Sequence, residues 1–497
     1  MRLTFLACLL ALATPAMAAD SKPPESAKGD AAKTDTTLPP LPADRTVAQS
    51  VVIAGKSLSY DVTVGTLPLF DAKGKKTGEV VYTAYVAKGG AAARPVTFAF
   101  NGGPGAASGF LNYGAIGPKR VQFGAQGDAP SDSAVARDNP NSWLDFTDLV
   151  FIDPIGTGYS RSLIEEAEAK KAFFTPDSDI AYLSRTVSDW LTKNGRMTSP
   201  KYLVGESYGG YRVPRLAYYL QSRLGVGLNG IVMVSPALSM TTLESDVATF
   251  SPMTYITSLP SMAAGRLERE GKLASPAALA EVEAYARGEY AVDLLRGRSD
   301  PQAIERMTAR VSAFTGLDPK LVRQYEGRID IRTFLRETHR DTASIGSIYD
   351  SNVTAFDPFP ESPDNRANDP LLDAIMAPVT GAAVDLMTRT AGWKVEGRYN
   401  LLSYEVGNLW DRKNQDEAIT DLRKAVAVDP KMAVLIAHGM DDLSCPYFVS
   451  RLVIDQMPGF GRPDRVQLAL YPGGHMFYSR ADSGAAFRKT ALALYQR

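Results

Sequence analysis

Lys201-Tyr202-Leu203-Val204-Gly205-Glu206-Ser207-Tyr208-Gly209-Gly210-Tyr211 decides how the rest of this chain is read. Lys201 to Val204 is a short apolar run of buried-strand type, and from Tyr211 to about Arg223 apolar residues recur at helical spacing. Between them, Gly205-Glu206-Ser207-Tyr208-Gly209 fits a G-x-S-x-G turn, in which flanking glycines let strand and helix pass closely while one serine hydroxyl is presented at a strained apex. Ser207 is therefore the candidate nucleophile.

Outward from that turn, the same alternation recurs. Val96 to Phe100, the fully apolar Leu149 to Ile152, and Gly230 to Val234 each fit a buried strand, with a helix expected over 177–194. Strands at 433–437 and 465–471 follow late in the chain. Strand–helix alternation predicts a mostly parallel sheet with helices on both faces and functional loops at the carboxyl ends of the strands. Before Val96 the pattern is different: Ser50 to Ala54, Leu58 to Val64 and Glu79 to Val86 are short β-forming runs, with a hairpin at Asp71-Ala72-Lys73-Gly74. From about 250 to 400 strand signals fade. Ser275-Pro276 and Asp300-Pro301 open helices, and 370–388 is apolar at helical spacing, so a mostly helical cap is expected there. The expected division is a core over 46–249, a cap over 250–410 and a second part of the core over 411–497.

The 497 residues carry a formal net charge of −1, which disfavours nucleic-acid or anionic-membrane binding driven by bulk charge. Only three histidines are present, His339, His438 and His475, and no H-E-x-x-H or paired C-x-x-C occurs, which disfavours a histidine-rich metal enzyme; hydrolase chemistry on a serine nucleophile needs no metal or organic cofactor. Arg2, the apolar run Leu3 to Leu12 and Ala16-Met17-Ala18 read as a signal peptide over 1–18. The mature protein is then exported, periplasmic or secreted, without a membrane span, and 19–45 reads as a disordered linker. Its one thiol would be Cys445, so no disulfide is expected. Oligomeric state is not legible.

A serine hydroxyl needs a base to accept its proton, and that base needs a carboxylate to fix its tautomer. In α/β-hydrolases these follow the serine in the order acid, then histidine. The strand ending at Ala437 runs into His438-Gly439-Met440-Asp441-Asp442, and the strand ending at Tyr471 runs into Pro472-Gly473-Gly474-His475. Asp442 is favoured as acid over Asp441, and His475 as base over His438. The N–H of Tyr208 is one expected oxyanion donor, and the loop Asn101-Gly102-Gly103-Pro104-Gly105 should supply the second. That loop is not a phosphate cradle: G-x-G-x-x-G is incomplete and Pro104 removes a donor.

These segments resemble the serine carboxypeptidase family. Asn101-Gly102-Gly103-Pro104-Gly105 is similar to its N-G-G-P-G loop, Gly205 to Gly210 to its G-E-S-Y-A/G-G elbow, and Asp153-Pro154-Ile155-Gly156-Thr157-Gly158-Tyr159-Ser160 to its D-x-P-x-G-T-G-[FY]-S segment. Asp442-Leu443-Ser444-Cys445-Pro446 and Gly473-Gly474-His475 match its late acid and base. The resemblance implies an α/β-hydrolase fold with a helical cap, a Ser207, Asp442 and His475 triad, and the N–H of Gly103 as second oxyanion donor. It also implies that Asn101 and Glu206 bind the free carboxylate of a peptide substrate. Two departures stand out: Ala106 where the family often has cysteine, and Ala115 where its well-studied members have a glutamate. The expected activity is removal of C-terminal residues from peptides, with an esterase or acyltransferase as the alternative.

Overall fold

The computed structural model describes residues 38–89, 94–122, 135–238, 251–362, 366–412, 418–462 and 464–497. The signal-peptide reading and most of the linker reading lie outside these residues. Leu41–Arg497 forms one unit. The linker, expected to reach residue 45, stops sooner: Arg45 already pairs in a strand, and the Asp44 carboxylate accepts hydrogen bonds from the Thr66 N–H and the Tyr82 hydroxyl.

The first three strands form a meander, β1 (Arg45–Ile53), β2 (Lys56–Phe70) and β3 (Lys76–Ala87). Ala54-Gly55, both at positive φ, make the two-residue turn between β1 and β2. At the next turn the Asp71 carboxylate accepts from the N–H groups of Lys73 and Lys75. β2 runs six residues past the predicted Val64, because pairing with β3 carries the strand through Gly65 and Pro68, residues that read locally as breakers.

The later strands are β4 (Val96–Phe100), β5 (Asp148–Ile152), β6 (Lys201–Glu206), β7 (Gly230–Val234), β8 (Ala433–Gly439) and β9 (Val466–Tyr471). They extend the meander into a ten-stranded sheet in the order β1-β2-β3-β5-β4-β6-β7-β8-β9, with the short strand Arg161–Ser162 also on β3. From β5 onward every pairing is parallel. β4 to β8 are buried along their whole length, which is why they read as continuous apolar runs. Alternate residues feed opposite faces: Ala99, Val204, Val232 and Leu435 enter one core, and Phe98, Leu203, Ile231 and Val434 the other.

Helix α1 (Pro176–Lys193) starts at a Thr175 cap, and α2 (Tyr208–Arg223) follows β6 directly. After β7 the described chain is mostly helical: α3 (Met253–Arg269), α4 (Pro276–Tyr285), α5 (Pro301–Thr315), α6 (Pro370–Asp385) and α7 (Tyr404–Leu409). Asp300 caps α5 by accepting from Gln302 and Ala303, and Gly316 at φ +77° ends it. A small hairpin, Ser344–Gly346 with Thr354–Phe356, interrupts this block and was not foreseen. Residues 370–390 are long and apolar enough to cross a membrane, yet Leu371, Ile375, Val379 and Ala383 are buried in a core beneath the sheet. Helix α8 (Ala418–Val428) returns the chain to β8, and α9 (Tyr447–Asp455) and α10 (Ala481–Tyr495) complete the layers. The insertion has its own core, which Met440 and Leu443 enter from the loop after β8 and Tyr447 and Phe448 from the start of α9.

Candidate active site

Ser207 sits between β6 and α2 at φ +59°, ψ −122°, a strained conformation for a residue with a side chain. The neighbours enforce it. The Ser207 N–H donates to Val234 of β7, its carbonyl accepts from the N–H groups of Gly210 and Ala237, and a Cβ on Gly205 would lie 2.0 Å from the Gly209 carbonyl oxygen. Only glycine fits where strand and helix pass this closely.

The loops after β8 and β9 bring the acid and base together. His475 Nδ1 lies 2.7 Å from Asp442 Oδ2, with both side chains buried. The other Asp442 oxygen accepts from the N–H groups of Ser444 and Cys445, so the carboxylate is held on both sides. Burial by itself would lower the His475 pKa, but the carboxylate of Asp442 more than offsets this and holds it above the ordinary value. The His475 N–H donates to the Tyr349 carbonyl at 2.5 Å, and its carbonyl accepts from the Ser235 hydroxyl.

Asp441 turns the other way. Its carboxylate accepts from the Asn352 amide, and burial followed by the neighbouring Asp350 pushes its pKa well up. His438 is likewise apart: Nε2 meets the Ser450 hydroxyl at 2.8 Å, and burial pushes its pKa down to about 3.

Asn101 and Glu206 meet directly. The Asn101 amide donates to Glu206 Oε2 at 2.6 Å, and the Tyr478 hydroxyl donates to Oε1 at 2.8 Å. Burial pushes the Glu206 pKa up and the charge of His475 and these two donors pull it part of the way back, leaving it at about 6. Tyr478 was missed in the sequence. No local signal could reveal it, because only the turn after His475 carries position 478 to position 206. Ala115 lies buried in the turn Leu111–Ile116 and brings no carboxyl.

The loop that follows β4 packs against the elbow. A Cβ on Gly102 would lie 2.5 Å from the Tyr208 nitrogen, so the backbone around Gly103 and the start of α2 share one corner. Gly103 adopts φ +100° before a cis bond to Pro104. Among the described residues no cluster of His, Cys, Asp and Glu is arranged to hold a metal ion, and Cys445 is a free, buried thiol.

Comparisons with known proteins bear on family likeness and fold. Residues 69–259 match the family model described as serine carboxypeptidase. Serine carboxypeptidase-like 36 of Arabidopsis thaliana is 30% identical over 208 residues, covering 40% of this chain and 39% of that protein. The pheromone-processing carboxypeptidase kex1 of Schizosaccharomyces pombe is 28% identical over 134 residues, 27% of this chain and 24% of its own length. These matches thus span well under two thirds of either relative. Over most of the chain the likeness is one of fold: the crystal structure of a prohormone-processing carboxypeptidase, Kex1Δp of Saccharomyces cerevisiae, is 14% identical with a TM-score of 0.57, covering 88% of this chain and 91% of that one. Residues 69–259 are thus similar to the serine carboxypeptidases, and the chain as a whole has the α/β-hydrolase fold.

Proposed function

We propose that this protein is an exported serine carboxypeptidase, periplasmic or secreted, that removes C-terminal residues from peptides. The observation that carries the reading is the 2.7 Å contact of Asp442 with His475 on the two loops that follow β8 and β9, in the sheet whose β6 presents Ser207. In this reading Ser207 attacks the last peptide carbonyl as His475 takes its proton, and Asp442 holds the imidazole in the tautomer that can accept it. The N–H groups of Tyr208 and Gly103 receive the developing oxyanion. His475 returns its proton to the leaving amine, and water then hydrolyses the acyl-enzyme by the same route in reverse.

Glu206 explains the preference for a free C-terminus. A carboxyl whose pKa stands at about 6 is readily protonated in mildly acidic solution, and in that form it donates to a substrate carboxylate instead of repelling it. Asn101 lies beside it as a neutral donor. The buried Ala115 leaves this subsite with one carboxyl, which keeps an esterase or acyltransferase as the second reading. Turnover of matched free-acid, amidated and ester substrates tests the choice: the free acid should be strongly preferred over the amide, and equal rates favour the second reading. A fluorophosphonate should label wild type and leave Ser207→Ala unlabelled; labelling of both would remove Ser207 from the mechanism.

A further inference from the structure

The elbow helix carries a buried arginine that the triad does not use. Arg212, four residues past Ser207's neighbour Tyr208 on α2, is fully buried and is paired with Asp179 of α1, Nε to Oδ2 at 2.7 Å. Its remaining terminal nitrogen, Nη1, donates to the backbone carbonyl of Asn101 at 2.6 Å. The guanidinium lies over the rings of Tyr208 and Trp410, at 5.0 and 5.9 Å from their centroids. Its plane is thereby set from three sides: a carboxylate on one edge, aromatic rings over its face, and the Asn101 carbonyl at the tip.

We propose that Arg212, oriented by Asp179, is a positioning residue for the oxyanion loop. The Asn101 carbonyl belongs to the peptide that leads into Gly102-Gly103, the most freely rotating pair in the loop. Without an outside anchor, the two glycines would let that peptide turn and carry the Gly103 N–H away from the corner it shares with Tyr208. Arg212 supplies the anchor from the same helix that starts at the nucleophile, so the elbow and the oxyanion loop are held to one rigid element. The chemistry demands arginine: its planar fork reaches Asp179 and the carbonyl at once, whereas a lysine ammonium offers a single point of attachment. The role differs from that of Asn101's own side chain, which faces Glu206.

This inference rests on the serine-hydrolase part of the reading above, with Ser207 as nucleophile, and not on the choice of substrate. The test is therefore the rate at which Ser207 is phosphonylated by a fluorophosphonate, a probe with no carboxylate, alongside turnover of a blocked dipeptide with a free C-terminus. Arg212→Lys, Arg212→Met and Asp179→Asn would be compared with wild type in the full chain, with folding checked by circular dichroism and thermal melting. For Arg212→Lys the expected result is a phosphonylation rate and a kcat that fall together by roughly tenfold or more while the protein stays folded, short of the loss of a whole oxyanion donor at about 100-fold. Asp179→Asn should show a smaller fall in the same direction. A folded Arg212→Lys protein labelled at the wild-type rate overturns the proposal, as does a loss that only tracks the unfolded fraction. If wild type is labelled but does not cleave the dipeptide, the carboxypeptidase reading falls, and a slowed Arg212→Lys still supports the anchor.

Discussion

His438 and His475 stand at the ends of neighbouring parallel strands, both buried, and their surroundings make them opposites. His475 faces the Asp442 carboxylate, which holds its pKa above the ordinary value against the effect of burial. His438 faces the Ser450 hydroxyl, and burial drives its pKa down to about 3. Burial alone makes a neutral, inert imidazole; burial with a carboxylate makes one that can accept a proton and keep it. The difference is what each ring faces: a hydroxyl on helix α9 for His438, which is still within β8, and a carboxylate on the loop after β8 for His475.

The largest effect should come from exchanging the two roles' key atoms for amides. His475→Gln should lose roughly 10⁴-fold or more in kcat, as removal of a triad base does. His438→Gln should stay within about threefold of wild type, since a buried neutral side chain away from the reacting atoms takes no part in proton transfer. Equal losses in steady-state assays would break the comparison. The adjacent aspartates sharpen it: Asp442→Asn should cost on the order of 10⁴ in kcat by fixing the wrong tautomer. Asp441 faces the Asn352 amide and not His475, so Asp441→Asn leaves the His475 contact intact and should cost little. A kcat for Asp441→Asn as low as that for Asp442→Asn would reverse the assignment.

A smaller effect is expected at Glu206. As pH rises through about 6 this carboxyl ionises and begins to repel a substrate carboxylate, so KM for free-acid peptides should climb above that pH. Glu206→Gln should flatten the climb, while amidated peptides show none of it in either protein. A KM profile that is the same in Glu206→Gln and wild type would take Glu206 out of the subsite. The smallest effect is on stability. The folded state refuses a proton at His438 that the unfolded chain takes up below about pH 6.5, so stability is lost as pH falls from there towards 3, by up to ~1.4 kcal/mol per unit. His475, with its pKa raised, contributes with the opposite sign: its share is present below about 6.5 and fades as pH rises through its folded value. Urea melts of His438→Gln between pH 4 and 6.5 should show a shallower acid slope than wild type, and an unchanged slope would mean that His438 is not the group responsible.

Much of the site was legible because its chemistry lies at strand ends. The elbow declares itself through glycines that must flank Ser207, and Asp442 and His475 follow in order, each just past an apolar strand. Asn101 and Glu206 came only from the resemblance, since nothing in their local sequence says that the two would touch. Tyr478, Tyr349 and Arg212 were not legible at all. Each acts across a long separation in sequence, through a hydroxyl, a carbonyl and a guanidinium that any local reading takes for ordinary surface or core. The sheet edge was read short for a related reason: Gly65 and Pro68 look like breakers until β3 pairs with them.

Composition and strand–helix periodicity determined by themselves that a parallel sheet would form and that a serine would stand at its rim, because burial on two faces and a glycine-flanked turn are local demands. Tertiary structure decided which aspartate meets the histidine, which histidine is silenced, and what holds Glu206 and the loop of Gly103. Those outcomes depend on directions of side chains brought together from distant strands, and a pKa or a hydrogen bond is a property of such a meeting rather than of any residue in it.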